Sequence, residues 1–573
     1  MKKYLYLLLF LTLMLHAKIF TKIEFTGDID ALTGDFDRST LLKICHIEYP
    51  AVYKLWKSNP TFEEKEIEGF VENLLKYSKS MGYYYVEVDS TVDVDTIYLN
   101  IKKNRAIKIN HVEMDEEFKK FALFKEGKRF RTTDFTGTKN AIVRHLEETG
   151  FPTHKMNAKA FVDLDLYQVN INMSIDKGIK RYFSTTEMNN TTDVDDKLIL
   201  DELLYEEDEL YNVFKLEESY DNIYRFGAFE QIKMEADFNN TDGKTPIKIT
   251  LKEGKNKEFA SNLGYDTEDG ARGGIAYIDH NFFGNLRKFE LGVKISERGE
   301  EISTNLYDPY INVPLLGKIT FRNELTYGKW DYNAFVEEGL TEQVTFGKSF
   351  GKAFRKSSIG IDHFAGFKIE KFNVTSNSSI VEDDSYLIHS LFYNFIIDGR
   401  DSEMDAKNGY YGSFYVEKAM KELGSQTEYL KLLAEARYIK EFKPMVWAFK
   451  IKGGSISKFL LPPFKYFYLG GAMSNRGYEY RDLGIHEGKY PLGGSSMIDA
   501  SLESRYYLTE NFSVVGFLDS SKLSLDVNDF SGKWYNSYGL GLRYLSLIGP
   551  LRLDVGYPEE GGFALHLGIG QVF

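Results

Sequence analysis

The sequence predicts a multidomain chain: three small α+β modules followed by a 16-stranded antiparallel transmembrane β-barrel. Three observations carry this reading. A helical segment closed by a glycine and followed by two strands recurs three times in the first 254 residues. From about Lys257 the helical period disappears and sixteen short segments of alternating hydrophobicity replace it. The 573-residue chain is also rich in aromatic residues (39 Tyr, 43 Phe and 4 Trp, 15%) while 27% of it is charged. A membrane barrel accommodates both, with aromatic girdles at the two interfaces and charges in the lumen.

Met1–Ala17 has a positive start at Lys2 and Lys3, an apolar run over Tyr4–Leu15 and a small residue at Ala17. This is the pattern of a secretory signal peptide, too short to span a bilayer as a helix. Removing it with its two lysines takes the formal charge from −14 to −16, which disfavours nucleic acid as a partner. A single cysteine, Cys45, excludes an internal disulfide framework.

The first module is read over 18–104. A strand at Phe20–Phe25 precedes a helix from Glu63 to Lys79 with Ile67, Phe70, Val71, Leu74 and Leu75 on one face. Gly82 stops the helix, and strands Tyr83–Val88 and Thr96–Ile101 follow. The second, 105–179, has strand Ile107–Met114, a helix marked by Phe135, Ile142, Val143 and Leu146, the stop Gly150, and strands Lys155–Asp163 and Val169–Ile175. The third, 180–254, has a strand near Arg181–Glu187, a helix over Glu217–Arg225, the stop Gly227, and strands Phe229–Asp237 and Ile247–Lys252. The stops lie 68 and 77 residues apart, the spacing of a modular array. Each unit resembles a POTRA domain. Within the third, Glu187–Glu218 carries twelve acidic and two basic residues; it reads either as a solvated face or as a docking patch for a basic partner.

The barrel is assigned to 255–573. Among its sixteen segments are Phe259–Tyr265, Arg272–His280, Gly409–Val416, Met497–Tyr507, Phe512–Ser520 and Phe563–Phe573. About 20 residues per strand and turn suits membrane strands of roughly 9–11 residues. In the last segment Phe563, Leu565, Leu567, Ile569 and Phe573 form an apolar row, predicted to face lipid, opposite His566, Gly568, Gly570 and Val572. A secreted β-sandwich also explains alternation, but not its combination with a signal peptide and sixteen even segments. No Gly-x-Ser-x-Gly elbow, zinc-ligand cluster or phosphate loop is visible, so no enzyme and no cofactor are expected.

Between about Ser457 and Ser496 a break of roughly 40 residues separates two strands that a two-residue turn would join. It contains Gly470-Gly471 and Arg476-Gly477-Tyr478. Repeated modules, sixteen strands, a terminal Phe573 and this loop after strand eleven together resemble the BamA/TamA superfamily of outer-membrane assembly factors. Asn281-Phe282-Phe283-Gly284, Asp308-Pro309-Tyr310, Phe517-Leu518-Asp519 and Gly541-Leu542-Arg543-Tyr544 belong to the same pattern. Two departures stand out: Asn475 where an apolar residue is usual, and Ser521 where glycine is usual.

The resemblance implies an outer-membrane location with periplasmic modules. It implies a non-enzymatic role in inserting client outer-membrane proteins or autotransporters. Three modules make the chain most like TamA, with a TamB-like periplasmic bridging protein as partner; a secretion pore for one cognate protein and TamB-linked phospholipid transport are the alternatives. It also implies that Arg476, Gly477 and Tyr478 fold into the lumen, where Arg476 meets Glu503 and Asp519. A lateral seam is expected between the first and last strands, with Phe259, Tyr265, Gly568, Gly570 and Phe573 along it; Gly568 and Gly570 weaken the last strand.

Overall fold

The computed structural model describes residues 19–31, 34–50, 58–314, 316–350, 359–377, 383–458, 460–509, 511–546 and 549–573. The predicted signal peptide, Met1–Ala17, lies outside them.

Three small α/β modules and a nearly closed 16-stranded antiparallel barrel make up the chain. In the first module, strand Thr96–Lys102 lies between a parallel neighbour, Lys22–Gly27, and an antiparallel one, Glu87–Asp93. Ile23, Phe25, Ile97, Leu99 and Ile101 share a core with Phe70 and Leu74 of helix Ile67–Ser80. A short helix, Arg38–Ile44, adds Leu41 to that core. It is too short to show a period in the sequence, and it depends on its cap: the Asp37 carboxylate accepts the Ser39 and Thr40 amides at 2.9 and 3.1 Å. These bonds outweigh the opposing effect of desolvation and hold Asp37 down at about 2.

The strand expected at Tyr83–Val88 begins only at Glu87. Tyr83 is diverted from pairing into packing. Its ring meets Phe36 edge-on at 5.6 Å, and its hydroxyl accepts a 2.6 Å bond from Arg129 of the second module. The second module repeats the plan, with Gln168–Asp176 between Lys108–Met114 and Lys155–Asp163, and helix Thr132–Glu148. In the third, Lys244–Glu253 lies between Phe229–Ala236 and Tyr182–Asn190. Gly82, Gly150 and Gly227 all adopt positive φ (89°, 90° and 66°) beyond the ends of their helices.

Cys45 is 3% exposed, and burial pushes its thiol up to about 12. Thiolate is the reactive form. Maleimide labelling of the native protein at pH 7.5 is therefore expected to run roughly a hundredfold or more below that of the urea-unfolded chain. Equal rates in the two states, read by mass spectrometry, would place Cys45 at the surface.

The barrel strands are β1 Lys257–Asp266, β2 Gly270–Asp279, β3 Lys288–Ser296, β4 Gly299–Val313, β5 Gly317–Tyr332 and β6 Phe335–Phe350. Then come β7 Gly360–Ser376, β8 Asp384–Asp398, β9 Gly409–Ala419, β10 Tyr429–Phe442 and β11 Met445–Ile456. After the long loop follow β12 Ser496–Tyr507, β13 Phe512–Ser524, β14 Tyr535–Ser546, β15 Gly549–Pro558 and β16 Ala564–Ile569. All pair antiparallel with their chain neighbours in one sheet. Alternation sets the two faces: in β13, Phe517 and Asp519 are buried inward while Leu518 is exposed outward.

β16 departs from expectation. It stops at Ile569, and Gly570 (φ 98°) turns the chain out of the wall. Leu565, Leu567 and Ile569 point outward as the alternation predicts, whereas Phe573 is 1% exposed and sits inside with Val572, Ala406, Ile439, Val446 and Ala448. A left-handed residue breaks the period of two, so parity counted through Gly570 assigns Phe573 to the wrong face.

Candidate functional site

The loop over 457–495 folds into the lumen and is anchored on two parts of the wall. The first anchor is Arg476, which is fully buried. Inward rows of two neighbouring strands receive it: Asp499, Ser501, Glu503 and Arg505 on β12, and Phe517, Asp519 and Ser521 on β13. The Arg476 guanidinium holds Asp519 with two nitrogens, Nε at 2.8 Å and Nη2 at 2.9 Å. Nη1 donates to Glu503 at 2.6 Å and Nη2 to the Ser501 hydroxyl at 3.1 Å. The main-chain amide of Arg476 also donates to Asp519, at 3.0 Å. The guanidinium carbon lies 3.5 Å from the centre of the Phe517 ring.

These are the two carboxylates the sequence points to; a larger ionic cluster surrounds them. Asp554 on β15 takes a bidentate grip from Arg543 on β14, at 2.5 and 3.1 Å, and lies 3.8 Å from Arg476. Arg505 donates to the second oxygen of Glu503 at 2.7 Å. Arg476, Arg505 and Arg543, with Arg552 at 3.8 Å from Asp554, thus surround Glu503, Asp519 and Asp554, all fully or almost fully buried. Such a cluster is tolerated because nearly every charge is neutralised and hydrogen-bonded; removing one member strands another.

Sequence reasoning missed Asp554, Arg543 and Arg505 in this role. Alternation does mark each as inward-facing, but most barrel strands carry charged inward residues, and nothing in spacing says which of them meet. Asn475 is a second omission. Where the family pattern has an apolar residue, its amide donates to the Tyr535 carbonyl at 2.9 Å and its oxygen accepts from Ser537 at 2.6 Å. Ser521, the other departure, donates to Asp499 at 2.7 Å. Both substitutions add bonds to the wall.

Gly477 is required by close approach. A Cβ there would lie 2.4 Å from the Ser537 Cβ and 3.1 Å from the Pro558 nitrogen. The Tyr478 ring meets Tyr535 edge-on at 5.9 Å and its hydroxyl donates to Glu560.

The second anchor is Lys465, 3% exposed. Its ammonium donates to Glu417 on β9 at 2.9 Å and to Glu370 on β7. Glu417 is further held by Lys368 at 2.7 Å and by the hydroxyls of Tyr415 (2.6 Å) and Tyr429. The loop is therefore pinned on β7–β10 and on β12–β15.

The seam residues are placed as follows. β1 and β16 are not paired as strands; one backbone bond, Thr267 N–H to Leu567 O at 3.2 Å, crosses between them among the described residues. Gly568 lies on the inward row of β16 beside the end of β1: a Cβ there would lie 3.3 Å from the Arg552 guanidinium and 3.9 Å from the Asp266 Cβ. Tyr265 is exposed beside it, and Phe259 is 81% exposed, its ring 5.4 Å from Tyr277. Gly570 begins the inward turn that removes Phe573 from the seam. As a result Lys257–Leu263 of β1 is exposed on both faces and along its edge.

Comparison with known proteins agrees with this architecture. Residues 281–573, just over half of the chain, match the Omp85 superfamily domain. The chain is 21% identical to the outer membrane protein assembly factor BamA of Nitratidesulfovibrio vulgaris, across 72% of this chain and 53% of that protein. It is 22% identical to BamA of Neisseria meningitidis serogroup B, across 95% of this chain and 76% of that one. It thus spans about half the length of the first relative. The crystal structure of BamA from Haemophilus ducreyi lacking POTRA domains 1–3 superposes with a TM-score of 0.61 at 16% identity, covering 81% of this chain and 99% of that one; this likeness is one of fold. With a loop pinned inside a barrel whose seam is crossed by one backbone bond among the described residues, and a C-terminal half that matches the family model, the chain belongs to the Omp85 superfamily.

Proposed function

We propose that this chain is an outer-membrane protein assembly factor that receives client β-strands through its modules and passes them into the membrane at the β1/β16 seam. The barrel lies in the bacterial outer membrane and the modules in the periplasm. The observation that carries the reading is the exposed edge of β1 over Lys257–Leu263. An unpaired strand edge offers a row of backbone donors and acceptors to another strand with little demand on sequence. In hydrocarbon such an edge is costly unless it is filled, so a client strand there is stabilised by the same bonds that stabilise the barrel. Sheet edges of the modules, such as Glu87–Asp93 and Lys155–Asp163, offer the same kind of pairing before the membrane is reached. Nothing in this sequence of events needs covalent chemistry.

Stapling the seam tests it. Cysteines at Asp266 and Gly568, in a Cys45→Ala background, have a Cβ separation of 3.9 Å, within the range for a disulfide. The oxidised protein is expected to lose roughly tenfold or more of its client-assembly rate in proteoliposomes and to recover it on reduction. Full activity of the stapled form would remove the seam from the mechanism.

Three modules support a TamA-like form of this role, with a TamB-like periplasmic protein as partner. Affinity capture of the full chain from solubilised envelopes is expected to recover one large bridging protein. Recovery of a set of small lipoproteins would favour a BamA-like assembly in its place.

A further inference from the structure

β1 and β16 share very few direct bonds, yet the wall is nearly closed. Besides the Thr267–Leu567 backbone bond, the Leu567 amide donates to the Thr267 hydroxyl at 3.3 Å. What else holds the two sides together lies in the loop, around Ala472. Its amide donates to the Glu268 carboxylate, in the β1–β2 turn, at 2.7 Å. Its carbonyl accepts from Arg552, on β15, at 3.1 Å. One residue of the loop is therefore bonded to the first hairpin by its N–H and to the C-terminal side of the seam by its C=O. Four residues on, the Arg476 carbonyl accepts from His566 Nε2, on β16, at 3.1 Å, so that ring nitrogen carries the proton. On the first side, Arg298, just beyond the end of β3, donates to the Glu268 carbonyl, and its guanidinium lies 4.7 Å from the centre of the loop's Tyr480 ring.

We infer that the loop segment 472–476 is a clasp across the seam, with Glu268 and His566 as its two positioning residues. The Arg476 cluster keeps the segment in place on β12, β13 and β15. Glu268 and His566 then fasten the first hairpin and the last strand to that fixed segment, so the seam closes through the loop more than through strand pairing. The direction of control follows. Withdrawing the loop frees both sides together, whereas losing Glu268 frees the first hairpin alone and leaves the Arg476 cluster intact. A carboxylate suits the hairpin side because a charge-assisted bond to an amide is stronger than a neutral one.

The inference rests on the proposed role of the seam, but its test does not use client assembly. Hydrogen exchange, resolved by mass spectrometry on the full chain in detergent, reads the Thr267 and Leu567 amides, both of which bond across the seam. In Glu268→Ala these amides are expected to exchange roughly fivefold or more faster than in wild type, while β12 and β13 keep their protection. Glu268→Gln retains an acceptor oxygen and is expected to stay within about twofold of wild type. His566→Ala should release Leu567 in the same way. Unchanged exchange in Glu268→Ala overturns the clasp, as does faster exchange spread equally over β12 and β13. Should the amides respond as expected while the stapled seam still assembles clients, the clasp stands and seam-mediated insertion falls.

Discussion

Arg476→Ala is expected to destabilise the folded barrel by about 3–5 kcal/mol, because it leaves buried carboxylates uncompensated. Asp519 would lose both bonds it receives from the Arg476 guanidinium, keeping at most the one from the main-chain amide, and Glu503 would lose one of its close cationic partners. Arg505, Arg543 and Arg552 remain against Glu503 and Asp554, but among the described residues none of them lies within ion-pair distance of Asp519, which would be left buried without its cation. Arg476→Lys keeps the charge but cannot reproduce the planar fork that spans Asp519, Glu503 and Ser501 together; it is expected to recover about half of the loss. Urea unfolding in detergent, followed by the gel mobility of the folded barrel, measures both. An alanine variant as stable as wild type would show that the cluster does not hold the loop.

Gly556→Ala is expected to unseat the same loop from the opposite direction. A Cβ on Gly556 would lie 1.9 Å from the Arg476 carbonyl oxygen and 2.8 Å from the Gly477 nitrogen. Both are main-chain atoms, so no rotamer relieves the clash. Gly556 itself is fixed between Gly539 and Ala564 in the ladder. The loop must therefore move by roughly an ångström, which takes its bonds to Asp519 and Glu503 beyond good geometry. Overpacking of this kind costs about 1–3 kcal/mol before the ionic contacts are counted. The double variant Arg476→Ala/Gly556→Ala discriminates the cause: with the loop already released, the added methyl is expected to cost less than it does alone. Full additivity in the unfolding free energies would mean that Gly556 acts elsewhere.

Much of this was legible in the sequence. Helical faces such as Ile67, Phe70 and Leu74, and alternating rows such as Asp499, Ser501 and Glu503, bury the residues their period selects, because a helix or strand has only one side to give to a core. The length of the loop marked it as an element with work to do, and its arginine sat next to acids on the strands that follow. What escaped were pairings set by the closed geometry of the barrel. Lys465 meets Glu370 and Glu417 across 95 and 48 residues of chain, and Arg476 approaches Asp554 across 78; no local pattern encodes such distances. The turn at Gly570 escaped for a different reason. A glycine in a strand reads equally as weakened packing or as a break, and only the tertiary setting of Phe573 decides between them.

The loop's two anchors divide the barrel into parts of unequal mechanical compliance. Lys465 and Arg476 brace β7, β9, β12, β13 and β15 against a common strut, and the inner faces of β11–β16 are buried beneath it. β1 has no such backing: its inner face is exposed for most of its length. A lateral force on this barrel is therefore not shared around the ring. It is taken up by Lys257–Leu263 of β1, which bends, while the C-terminal strands act as the rigid frame against which it bends.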